Sequence, residues 1–66
     1  LKIIVNGEER EVAPGTTLDQ LLRVLGLDRG SVAIEVDGAL VPRAHFAERE
    51  LQPGERLEIV TFVGGG

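Results

Sequence analysis

The chain contains no cysteine, methionine, tryptophan or tyrosine, and only two phenylalanines and one histidine. Without cysteine there is no disulfide, no thiolate metal site and no thiol nucleophile, so any sulfur chemistry has to use sulfur supplied from outside. His45 alone cannot assemble a metal-ligand cluster, and its plain role is a solvated loop imidazole. No apolar run approaches the roughly 20 residues needed to span a bilayer, and no basic-then-apolar leader opens the chain. A cytoplasmic protein with no membrane partner is the expectation. Nor is there a basic excess: 11 acidic residues against 7 basic ones leave a net charge of −4. A nucleic-acid backbone would be repelled overall, so no nucleic-acid partner is expected. Leu1 stands where an initiator Met is usual.

What is present is a 66-residue chain, the size of one small domain that hides only about 60% of the surface its unfolded form exposes. Leu1 to Val5 is β-rich and runs into Asn6-Gly7, a dipeptide that tolerates positive φ and suits a two-residue type I′ hairpin turn. Glu8 to Ala13 then returns antiparallel. The period of two puts Leu1, Ile3 and Val5 on one face and Lys2, Ile4 and Asn6 on the other, where Ile4 is a misfit among polar neighbours.

Pro14-Gly15 signals a turn, and Thr17 with Gln20 three residues later has the form of a capping box opening a helix. Leu18, Leu21, Leu22 and Leu25 draw one apolar stripe along about 12 Å of that helix, which Gly26 ends as a left-handed residue. Val32, Ile34 and Val36 alternate as a strand, Asp37-Gly38 repeats the hairpin signal, and Ala39-Leu40-Val41 turns back briefly before Pro42. Arg43 to Leu51 has no clean period and is expected to hold a short helical turn with Phe46 or Leu51 pinned to the core. Pro53-Gly54 then launches a last strand from about Arg56 to Val63.

Strand, strand, helix, strand, short strand, strand, with one helix stripe to cover a sheet face, is the β-grasp (ubiquitin-like) arrangement. It is an α+β class with a mixed sheet of four to five strands, the last strand running parallel to the first in the middle. Residues 1–63 are expected to form this domain and residues 64–66 a flexible glycine tail.

Self-contained catalysis finds no support. There is no paired-carboxylate pocket, no Ser-His-Asp set and no phosphate loop, because the triple glycine precedes no helix. Glu48, Glu50, Glu55 and Glu58 read as a solvated face. The last strand is more informative: Leu57 and Ile59 share the core phase, which leaves Glu58, Val60 and Phe62 on the helix-free face. Ile4 is expected to join Val60 and Phe62 in a small apolar patch of the kind that marks a partner surface, unless the loop after Pro42 covers them.

Gly64-Gly65-Gly66 follows directly. Three extended residues reach about 10 Å, and a tail without Cβ atoms can thread a narrow channel with an unhindered terminal carbonyl. The Gly66 carboxylate is inert until activated. ATP could convert it to an acyl-adenylate, after which a sulfur or amine nucleophile displaces AMP, with a partner enzyme supplying position, Mg²⁺ and exclusion of water. An incidental glycine end is the alternative.

The run Ile59-Val60-Thr61-Phe62-Val63-Gly64-Gly65-Gly66, following Leu51-Gln52-Pro53-Gly54-Glu55-Arg56-Leu57, resembles the end of the ThiS family, bacterial sulfur carriers of thiamine thiazole biosynthesis. Ile3-Ile4-Val5-Asn6-Gly7-Glu8, Thr17-Leu18-Asp19-Gln20-Leu21-Leu22 and Val32-Ala33-Ile34-Glu35-Val36-Asp37-Gly38 look like that family too. A third glycine lengthens its usual Gly-Gly ending. The resemblance implies a carrier, not an enzyme, whose Gly66 is adenylated by a ThiF-type enzyme using MgATP. A cysteine-desulfurase persulfide then supplies sulfur, and the resulting thiocarboxylate serves a ThiG-type thiazole synthase. No cofactor would be bound by the chain itself. Alternatives are a MoaD-like carrier feeding molybdopterin, a ubiquitin-like modifier forming isopeptide bonds, and a plain β-grasp interaction module.

Overall fold

A computed structural model describes residues 1–62. Two tight turns set its strand layout. Asn6 and Gly7 have φ of 49° and 84°, and Asp37 and Gly38 have 50° and 84°. Successive left-handed residues reverse the chain with a twist that matches paired strands, which is why Asn-Gly and Asp-Gly occupy these positions. The first turn joins β1 (Lys2–Val5) to β2 (Glu8–Glu11). The second joins β3 (Val32–Val36) to β4 (Ala39–Val41). With β5 (Arg56–Thr61) they form one sheet in the order β2-β1-β5-β3-β4. β5 lies in the middle, parallel to β1 and antiparallel to β3. This is the mixed five-stranded β-grasp sheet with one helix.

The helix α1 (Leu18–Leu25) is closed at both ends by local chemistry. Thr17 Oγ1 accepts from Gln20 N at 3.2 Å while Gln20 Oε1 accepts from Thr17 N at 2.9 Å, the full reciprocal box. Two further first-turn amides that have no intrahelical acceptor find carbonyls of the following loop: Leu18 N donates to Arg49 O and Asp19 N to Phe46 O. At the other end Gly26 takes φ 73°, and Leu27 N donates back to Leu22 O at 2.9 Å. Together with the Gly26 N to Arg23 O bond this completes a Schellman motif.

The core lies between α1 and one sheet face. Leu18, Leu21 and Leu22 from the helix meet Ile3 and Val5 of β1, Val32, Ile34 and Val36 of β3, and Leu57 and Ile59 of β5. Leu25 packs at its margin and is only partly buried. Phe46 and Leu51, both nearly fully buried, plug the end beside the helix N-terminus, so the irregular segment contributes two anchors where one was expected. That segment begins with a 3-10 turn at Arg43–His45, and another spans Arg29–Ser31.

Glu55 departs from the solvated reading of its acidic group, being only 8% exposed. Its carboxylate accepts from Gln52 N at 2.7 Å and pairs with the Arg49 guanidinium, closing the Pro53-Gly54 turn on itself. A buried carboxylate is tolerable here because backbone and cation together replace its water.

Candidate functional site: the outer face of the last strand

Alternation along β5 separates two sets of apolar residues. Leu57 is fully buried and Ile59 nearly so, whereas Val60 is 57% exposed and Phe62 51%. The loop after Pro42 does not cover the outward pair. Its Phe46 and Arg49 carbonyls accept from the Asp19 and Leu18 amides at the helix N-terminus, and Phe46 is buried there, while Pro42 and Arg43 line one side of the hollow beside Phe62. Phe62 N donates to Ser31 O at 2.9 Å, so the chain keeps its extended course beside β3 as far as this residue.

Register decides what stands next to them. Ala33 of β3 is the partner of Val60, and Glu35 is the partner of both Glu58 on β5 and Leu40 on β4. Partners in an antiparallel pair share a face, so Leu40, 67% exposed, belongs to the same surface. Phe62, Ala33, Leu40 and Pro42 line one shallow hollow of about 220 Å³. Leu40 is a member that sequence reasoning missed. A two-residue turn at Asp37-Gly38 forces residue 40 opposite residue 35, so the outward position of Glu35 was the available signal.

Ile4 is the correction in the other direction. It pairs with Arg56 on β5 and Glu9 on β2, and it is half-buried. Four residues of strand, about 13 Å, separate Arg56 from Val60. Ile4 therefore lies on the same face but does not join the Val60–Phe62 patch, because parallel pairing places β1 against the beginning of β5 instead of its end. Arg56 and Glu58 stand between them.

The patch has an acidic border. Glu35 and Glu58 are exposed and directly opposite one another, an arrangement that disfavours the free sheet by a few tenths of a kcal/mol up to about 1. A cation brought by a partner would relieve it. Among the described residues no group of three His, Cys, Asp or Glu gathers to hold a metal. His45 is exposed in its 3-10 turn. No helix of the described residues is long and apolar enough to cross a membrane. Val63 and the three glycines, Gly64, Gly65 and Gly66, lie outside the described residues, as does the expected boundary between domain and tail.

The sequence model of the ThiS family matches residues 3–66. The chain belongs to the ThiS family. Over all 66 residues it is 26% identical to the sulfur carrier protein ThiS of Escherichia coli K12, with full coverage of both chains. The crystal structure of the thiamine biosynthesis protein ThiS from Geobacter metallireducens superposes with a TM-score of 0.82 at 28% identity, again covering both chains completely. A thiazole synthase of Paramagnetospirillum magneticum is 41% identical over the same 66 residues. The chain spans 20% of the length of that relative. The ThiS match includes Gly64, Gly65 and Gly66.

Proposed function

We propose that this ThiS-family chain is a sulfur carrier of thiamine thiazole biosynthesis, loaded at the carboxylate of Gly66. The observation that carries the reading is the continuity of β5 with the tail. The central strand of the sheet leads through Thr61 and Phe62 into Val63-Gly64-Gly65-Gly66, within a family match that runs to the last glycine. Relatives named sulfur carrier protein ThiS and thiazole synthase support the thiazole branch over a molybdopterin branch.

The chemistry proceeds in three balanced steps. A Gly66 carboxylate oxygen attacks the α-phosphorus of ATP on a ThiF-type enzyme, forming the acyl-adenylate and releasing pyrophosphate. The terminal sulfur of a persulfide, generated by a cysteine desulfurase, attacks the acyl carbon and expels AMP. A second thiol then attacks the cysteine-derived sulfur of the acyl disulfide, breaking the S–S bond; the electron pair leaves on the acyl-bound sulfur as the thiocarboxylate, and a disulfide remains on the partner side. The thiocarboxylate sulfur, more polarisable than oxygen, is the nucleophile delivered to a ThiG-type thiazole synthase.

MgATP is bound by the activating partner and the chain acts as co-substrate. A cytoplasmic setting follows from the need for ATP and a persulfide donor. The partner surface is Val60 and Phe62 with Ala33 and Leu40, bordered by Glu35 and Glu58, and it fits an apolar partner surface flanked by Arg or Lys. Ile4 contributes at a separate point. The test is intact-mass measurement after incubation with activating enzyme, MgATP, desulfurase and cysteine. One oxygen replaced by sulfur is expected, and the replacement should disappear when Gly65-Gly66 is deleted.

A further inference from the structure

β5 outruns its parallel partner. The β1–β5 ladder holds two residue pairs, Ile4 with Arg56 and Val5 with Leu57, and Asn6 N then donates to Leu57 O at 2.9 Å as the chain leaves the sheet. At that point a side chain takes over the ladder. Asn6 Oδ1 accepts from Ile59 N at 2.7 Å, and Asn6 Nδ2 donates to Ile59 O at 3.1 Å. A carboxamide carries one acceptor and one donor group much as a peptide unit does, so one residue supplies both halves of a strand step.

The other hairpin turn shows that this is specific. Asp37 has nearly the same φ and also reaches β5, but its Oδ1 only accepts from Arg56 N, at 2.9 Å, while its backbone N donates to Arg56 O. There an acceptor suffices, and Asp is present. At position 6 the turn requires a residue that tolerates φ near 50°, which Asn, Asp and Gly do. Of those three only Asn can both accept from and donate to the same neighbour. Asp37 thus pins the start of β5 and Asn6 pins it three residues before Phe62.

We propose that Asn6 is a positioning residue for the tail. With β3 holding one side of β5 through the Val60 and Thr61 pairings, the Asn6 amide holds the other, and together they fix the course of the strand that precedes the glycines an activating enzyme must reach. This rests on the carrier reading given above. Losing the clamp leaves the stem of the tail to be ordered on binding, which raises KM for the carrier and leaves kcat nearly unchanged, since the partner enforces the reacting geometry once the tail is bound.

The experiment compares Asn6→Gly with Asp37→Gly. Each keeps a turn compatible with positive φ, removes a side-chain anchor on β5 and adds one glycine to the unfolded chain. Asn6→Asp is the milder third variant, keeping the acceptor for Ile59 N and losing the donor to Ile59 O. Adenylation is followed as ATP–pyrophosphate exchange with a ThiF-type enzyme, at a temperature where circular dichroism shows every variant folded. Asn6→Gly should raise KM about tenfold, in keeping with the loss of two hydrogen bonds. Asn6→Asp should fall between it and wild type, and Asp37→Gly should match wild type. Equal KM values for the two glycine variants, or wild-type KM in both Asn6 variants, would overturn the proposal. Absence of exchange with the wild-type protein would instead reject the carrier reading.

Discussion

Leu57 and Ile59 differ little in chemistry from Val60 and Phe62, and all four lie on one six-residue strand or directly after it. The first two are buried beneath α1, and the second two face outward with half or more of their surface exposed. The helix covers one side of the sheet only, so the alternation of a strand assigns identical chemistry to opposite purposes. Inward residues supply stability, and outward ones, which the free domain leaves half or more exposed, remain available to a partner. Substitutions on the two faces should therefore fail in different assays.

The largest expected effect is on the inward face. Leu57→Ala removes a fully buried side chain and should lower unfolding free energy by about 2–5 kcal/mol, a large share of what so small a domain possesses. Urea unfolding measures it, and a loss below about 1 kcal/mol would mean that the core centre lies elsewhere. Val60→Asp is the counterpart. It should leave stability within about 0.5 kcal/mol of wild type while weakening binding to the activating enzyme about tenfold, read by titration calorimetry. A collapse in stability with that substitution would erase the distinction between the faces.

Ile4→Ala probes an intermediate position. Half-buried and set against the opposite end of β5 from Val60, it should lower stability by about 1 kcal/mol and affect partner binding less than Val60→Asp. A binding loss as large as that of Val60→Asp would reunite the two in one contact surface. The smallest effect is expected from Glu58→Lys. Relieving the Glu35 opposition should raise stability by a few tenths of a kcal/mol, while binding to a partner that offers Arg or Lys should weaken, most clearly at low salt. Unchanged binding across ionic strengths would remove the acidic border from the partner surface.

Features governed by neighbours along the chain are legible in the amino-acid sequence itself. The Asn6-Gly7 and Asp37-Gly38 turns, the Thr17–Gln20 box and the leucine stripe closed by Gly26 all follow from interactions spanning a few residues, and each is present as expected. The inward and outward phases of β5 follow from alternation. What escapes a sequence depends on how distant segments meet. Topology implies that β1 lies beside β5, which suggests Ile4 for the patch, whereas the offset between the two strands is set by where Glu55 and Leu57 accept the Ile4 and Asn6 amides. Glu55 gives no sign of burial, since its partners Arg49 and Gln52 come together only when the aperiodic loop folds back. The Asn6 bonds to Ile59 span 53 positions, and no local pattern announces them.

The carrier reading rests on one atom group, so one measurement bears on it most directly: the intact mass and C-terminal peptide mass of the protein isolated from its native host. A carrier loaded at Gly66 should end at a free Gly66, with a fraction in which one carboxylate oxygen is replaced by sulfur. A chain continuing past Gly66, or a free Gly66 that never acquires sulfur when competent activating enzyme, MgATP and persulfide donor are present, would contradict it.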